Sequence, residues 1–283
     1  MGSWILFANL HLKFLVMVIG FITWNVNPEI INLGFIAPRW YGLLFASTFL
    51  VGYVIMQKFF KKEGVPDKVL DTLTTYMLVA TVIGARLGHV FFYEPAYYLA
   101  NPIEIFYVWE GGLASHGAAI GILIALYIFA KREKRDYLWT VDRVVIVTAL
   151  GGMLIRLGNL MNSEIYGHIT DLPWGFIFVR DGMTDPRHPT QIYEAFSYLL
   201  IFIYLIYYYY KKDAKTANGY LLGMFLIIVF GMRFFIEFVK EDQVAFENGM
   251  MLNMGQLLSI PAVLGGAYLV WRSRKFNELP LAK

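Results

Sequence analysis

Arg156, Asn159 and Ser163 follow one another at intervals of three and four in "GGMLIRLGNLMNSEIYGH", residues 151 to 168, a stretch that opens like a membrane span. That spacing predicts one helical face for the three, with Glu164 and Tyr166 following where the span ends. A guanidinium flanked by carboxamides suits an anionic phosphate, because its fork offers several fixed donors and keeps its charge at any depth. Arg233 and Glu237 stand four apart, the spacing of an ion pair on one helix face. Arg86 and His89 are three apart, with Tyr93 one turn further along the same stripe, a pattern that also fits packing between helices. His116 lies in "GGLASHGAAIG", where Gly111, Gly112, Gly117 and Gly121 permit close approach by a neighbour or a bulky ligand. Further on, "DPRHPTQIYEAF" supplies Arg187, His188, Gln191 and Glu194, although His188-Pro189 also reads as a helix start.

These residues need a scaffold, and composition names its solvent. The chain is 58% hydrophobic, 17% aromatic and only 16% charged, with a mean hydropathy of +0.54. A soluble domain is about a quarter charged. Zero Cys excludes a disulfide, a thiolate metal site and a cysteine nucleophile, so any thiol chemistry must come from a substrate. A net charge of +3 is too small to point to nucleic acid. Apolar runs able to cross about 30 Å of hydrocarbon fall near 40–57, 72–93, 113–130, 143–162, 193–210, 219–238 and 254–271. The expected architecture is an all-α polytopic membrane protein with seven transmembrane helices, a small extracytoplasmic head and an amino-terminal arm.

Charge gives the orientation. Four Lys/Arg lie in 58–71, four in 131–142 with Arg143 following, three in 211–218 and four from Arg272 onward. The positive-inside rule makes those sides cytoplasmic, the C-terminus among them. The remaining connectors hold few: none in 94–112, Arg180 and Arg187 in 163–192, and Lys240 in 239–253. Residues 1–38 read as an arm, interfacial or partly embedded: "FLVMVIGFITW" at 14–24 is short for a span and no cleavage pattern follows it, with an eighth span as the alternative. Residues 39–283 read as one polytopic domain, and 163–192, with turn residues around "GFIFV", as the head with some strand.

Arg39, Arg86, Arg156 and Arg233 remain outside those connectors. Arg39, beside Trp40 and Tyr41, also fits an interfacial anchor. The other three lie inside outward-running spans, each roughly 8–10 Å from the outer end at 1.5 Å per residue. One such arginine could snorkel to the headgroups; three at one depth, with His116 and Tyr41 beside the same boundary, predict a shared polar layer. A transporter of an anionic substrate is the alternative, but it would want polar groups through the whole thickness, and the inner halves of these spans are nearly uncharged. A structural membrane protein does not account for so rich a polar layer.

In order, "WYG" at 40–42, "GARLGHVFFY" at 84–93, "EGGLASHGAAIG" at 110–121, "RLGNLMNSEIYGH" at 156–168, "RHPTQIYE" at 187–194, "RFFIEF" at 233–238 and "MGQLLSIP" at 254–261 resemble the motifs of the prolipoprotein diacylglyceryl transferase family. The likeness runs from about Trp24 to Trp271. There are departures: Asn162-Ser163-Glu164 replaces the common Asn-Gly-Glu, His168 stands where arginine is common, and Val229 where members often carry tyrosine. The resemblance implies an enzyme of the bacterial plasma (inner) membrane. Such an enzyme moves the diacylglyceryl group of phosphatidylglycerol to the lipobox cysteine of a preprolipoprotein signal peptide, forming a thioether and releasing glycerol-1-phosphate. Membrane lipid and that peptide are the implied partners; no cofactor, metal or nucleic acid is expected. On this reading Arg156 and Arg233 clamp the leaving phosphate, Glu237 and Glu164 orient them, and Asn159 binds the headgroup. His116 is the candidate general base, and Tyr41 and Arg86 position the substrate. Asn162, Gly167 and Arg187 join the implied substrate-binding set.

Overall fold

The structure, a computed structural model, describes residues 20–34, 36–241 and 249–277. Its long helices are α1 (Trp40–Lys62), α2 (Asp67–Phe92), α4 (Ser115–Arg132), α5 (Tyr137–Met161), α6 (Thr190–Lys211), α7 (Tyr220–Ile236) and α8 (Met254–Asn277), with a short α3 (Pro95–Ala100) between α2 and α4. Each expected span thus forms as a helix. Several run past their apolar stretch, α1 to Lys62 and α5 back to Tyr137, because hydrogen bonding continues where hydropathy has already changed. Lysines and arginines close the last turns of α1, α4, α6 and α8, where they complement the helix dipole.

Six of these helices are long and apolar enough to cross a membrane, against seven expected. The exception is α4, whose 18 residues open on Ser115-His116 and close on Lys131-Arg132, leaving a shorter apolar centre. It packs on α2 backbone to backbone. A Cβ on Gly84 would lie 2.6 Å from the Gly117 carbonyl oxygen, and one on Gly121 2.7 Å from that of Ala80. Glycines at both faces allow this approach, as small residues do between membrane helices. Here the close partner is the neighbouring helix.

The chain divides into two compact units. One consists of the described residues up to Thr48 with Ala149–Tyr204 and Phe225–Ala267; the other holds Phe49–Thr148, Leu205–Met224 and the segment from Tyr268. In the first, strand β1 (Ile22–Trp24) pairs in parallel with β2 (Phe176–Phe178). The β2 strand is the "GFIFV" stretch. Its Phe176 and Phe178 are buried with Leu160, while Trp24 packs on Phe176 and donates its indole N–H to the Leu160 carbonyl at 2.9 Å. The end of the expected arm is therefore sewn to the 163–192 segment. Whether its first 19 residues lie at the interface or span lies outside the described residues.

Candidate functional site

The site of the first unit begins in the last two turns of α5. Arg156 donates to Asn159 Oδ1 at 3.1 Å, as their shared face predicts, and the Asn159 amide donates to Glu164 Oε1 at 2.8 Å. Glu164 also accepts from the Asn162 amide at 3.2 Å, and its backbone carbonyl accepts from Gln191 Nε2 at 2.7 Å. Glu164 thus orients Arg156 only through Asn159. The carboxylate that touches Arg156 is Glu194 on α6, 2.8 Å from Nε at an angle too oblique for a hydrogen bond. Ser163 departs from the expected helical face, because α5 ends at Met161 and Ser163 takes a left-handed turn, φ 56°. Its hydroxyl is buried and, among the described residues, unpartnered, as are Asn162 Oδ1 and Gln191 Oε1.

Arg233, near the end of α7, pairs through Nε with Glu237 Oε1 at 3.2 Å, one turn on. Asn253 donates to the other Glu237 oxygen at 3.2 Å. Gly255, early in α8, comes so near that a Cβ there would meet Glu237 Oε1 at 2.5 Å. Between the two arginine pairs stands Lys240. Its ammonium lies 3.4 Å from Glu194 Oε1 and 3.4 Å from Glu237 Oε1, with the side chain 3% exposed. The sequence counts Lys240 among the outer-connector charges; the structure buries it, since two carboxylates replace its water. Arg156 and Arg233 thereby belong to one network of three cations and two carboxylates.

Beside the network lies a narrow hollow with about 10 Å³ of room for water, partly open to the surroundings, to which Glu194, Ser197, Tyr198, Val229, Met232 and Arg233 contribute. Arg233 is 38% exposed, and among the described residues its terminal nitrogens have no protein partner. Tyr198, unmarked by motif or spacing, brings a phenol to the wall that Val229 leaves apolar. Tyr41, at the start of α1, lies against Gly158, whose added Cβ would come within 2.8 Å of the Tyr41 ring, and is in electrostatic reach of Arg156 and Glu164.

The 163–192 segment holds the rest of this unit's expected residues. Arg187 ion-pairs with Glu241 and stacks 5.1 Å over Tyr166. Burial first, then the hydrogen bond that Tyr166 donates to Asp181, pushes the phenol up to about 12, so it stays protonated. The Gly167 N–H donates to the His188 carbonyl at 2.9 Å, and that of His168 to Val239 at 2.9 Å. A Cβ on Gly167 would fall on the Val239 carbonyl oxygen, so glycine there admits the helical turn Glu237–Val239 that leads into Lys240.

Arg86 and His116 belong to the other unit. Arg86 is 4% exposed and donates to backbone carbonyls of Ile105 at 2.9 Å, Gly111 at 2.7 Å, Gly112 at 3.3 Å and Glu104, with its guanidinium 5.0 Å over Tyr98. Its fork holds the 104–112 loop. The expected stripe is present, with His89 stacked on Tyr93 at 5.5 Å. His116 is exposed in the first turn of α4, its ring 5.2 Å from Phe92 and 5.8 Å from Tyr93.

Comparison with known proteins yields one family. A model described as "Prolipoprotein diacylglyceryl transferase" matches residues 28–272. A protein of Tolumonas auensis is 50% identical over 253 residues, covering 89% of this chain and 97% of its own. One of Chloroherpeton thalassium is 48% identical over 260 residues (92% and 97%), and one of Porphyromonas gingivalis 46% over 270 (90% and 95%). All three are named phosphatidylglycerol--prolipoprotein diacylglyceryl transferase. The transporter alternative finds no support among them.

Proposed function

The chain belongs to the prolipoprotein diacylglyceryl transferase family, and we propose that it moves the diacylglyceryl group of phosphatidylglycerol to the sulfur of a lipobox cysteine in a preprolipoprotein signal peptide. It is a multi-pass membrane transferase of lipoprotein biosynthesis. The observation that carries the reading is the joined network: Arg156 and Arg233, held by Glu194, Lys240 and Glu237, three cations gathered beside an apolar-walled hollow. A guanidinium with donors to spare suits an anion, and a lipid phosphate brings one with acyl chains suited to the surrounding wall.

In the reaction the thiol gives up its proton, sulfur bonds to the glyceryl carbon, and the carbon–oxygen bond to phosphate breaks. The bonding pair leaves with glycerol-1-phosphate, whose phosphate passes from one negative charge to two. Ionising a thiol of pKa ~8.5 at pH 7 costs only about 2 kcal/mol. Stabilising the leaving phosphate is therefore the larger task, and preorganised cations perform it. Arg233 offers its open guanidinium to that phosphate; Arg156, with Asn159, Asn162 and Glu164, holds the headgroup side. Tyr41 and Arg187 line the approach. Arg86 acts through the loop it holds, and His116 takes the thiol proton. The uneven distribution of lysine and arginine supports a bacterial plasma membrane orientation with the C-terminus in the cytoplasm and the site toward the outer leaflet.

Purified protein, phosphatidylglycerol and a lipobox peptide test the reading by mass spectrometry of the peptide. A diacylglyceryl increment on the cysteine, absent from a Cys→Ser peptide, is expected. An unchanged peptide, together with anion flux in proteoliposomes, would replace the enzyme with the transporter.

A further inference from the structure

We propose that Lys240 is a positioning residue: it joins the two arginine–glutamate pairs into one cationic seat for the lipid phosphate. The inference rests on the transferase reading and assigns a residue that the motifs left in a connector. Without Lys240, the two arginines and two glutamates balance, and Glu194 and Glu237 face the same space with nothing between them. With it, Glu194 shares its oxygens between Arg156 and Lys240, Glu237 Oε1 lies between Arg233 and Lys240, and a third cation joins the two arginines. The ammonium therefore acts twice, by fixing both orienting carboxylates and by adding its own positive charge to the seat.

Backbone geometry places it there. Lys240 forms an antiparallel bridge with Gly167, and the Val239 carbonyl accepts from the His168 N–H at 2.9 Å. Only a residue without Cβ fits at 167 beneath that carbonyl. Gly167 thus sets the position of Lys240, and damage at either residue should produce the same defect. Glu194 on α6 and Glu237 in the turn after α7 are the charged groups facing the ammonium, with Arg156 and Arg233 behind them.

The full-length protein is compared with Lys240→Met, Lys240→Gln, Lys240→Arg and Gly167→Ala. Binding of a short-chain phosphatidylglycerol and of the matching uncharged diacylglycerol is measured beside turnover and melting temperature. Losing one nearby charge should weaken phosphatidylglycerol binding by about tenfold or more in Lys240→Met and Lys240→Gln. Diacylglycerol binding should be unchanged, and Lys240→Arg should restore binding and turnover. Gly167→Ala should reproduce the charge-selective loss, and combining it with Lys240→Met should add little. Wild-type phosphatidylglycerol affinity in both neutral variants, or equal loss of both lipids, would overturn the assignment. Failure of the wild type to modify peptide would instead sink the transferase reading, while the binding comparison still decides the role of Lys240.

Discussion

Two ion-paired arginines make a useful contrast, one in each unit. Arg143 is 2% exposed and fully engaged. It donates to Glu63 at 3.1 and 3.0 Å, to the Trp139 carbonyl at 3.3 Å and to that of Ala214 at 3.2 Å, and its guanidinium lies 4.7 Å from the Trp139 ring centre. Glu63 is saturated in turn by Trp139 Nε1 at 2.9 Å and the Tyr209 hydroxyl at 2.6 Å. Arg233 uses one nitrogen on Glu237 and turns the others toward a hollow. The closed cluster has nothing left to offer a ligand; the open one does. Burial of a cation is therefore a poor guide to function until its donors are counted.

The contrast is open to test. Arg233→Ala should lower kcat/KM by about 10²–10³-fold with little change in melting temperature, and Arg156→Ala by as much with some loss of stability because it removes a partner of buried Glu194, the activity loss being that expected when a preorganised donor to a developing charge is removed. Arg143→Ala should do the reverse: it strands buried Glu63 and costs about 3–5 kcal/mol of stability, while turnover per folded molecule is kept. Chemical denaturation in micelles beside single-turnover rates separates the two, and an Arg143→Ala protein that folds normally but cannot turn over would erase the distinction.

His116→Gln should cost less, roughly 30-fold, since deprotonating the thiol accounts for about 2 kcal/mol. Loss as complete as in Arg156→Ala would reverse the ranking of base and clamp. The smallest effect is on pH dependence. Burial, with His168 nearby, holds His188 below its ordinary 6.5. The folded state thus prefers the neutral ring, so this stabilisation is present above pH 6.5 and is lost as acid drives the pH down through the depressed value. Melting curves of His188→Gln should lack that acid slope.

What could be read from residue types and what could not divides along sequence distance. Arg156 with Asn159, and Arg233 with Glu237, are three and four apart, and local helix geometry alone brought them together. The strand in "GFIFV" was legible from its turn residues. Its partner at Ile22–Trp24 was not, because nothing local marks a parallel pairing across some 150 residues. Lys240 was misread for a similar reason: a lysine in a connector is ordinarily solvated, and only Glu194 from a distant helix makes its burial tolerable. The partners of Arg86 were equally out of sight, since the carbonyls that absorb its donors lie 18 to 26 residues further on and leave no trace in side-chain types.

By itself the sequence determined the solvent, the number of long helices, the polarity of their connectors and the arginines that enter them, because hydropathy and charge are summed locally. Tertiary structure alone decided which of those arginines are spent on carbonyls and carboxylates and which keep donors to spare, because saturating a guanidinium takes partners from several segments at once. That choice separates the staple at Arg143 from the seat at Arg156 and Arg233.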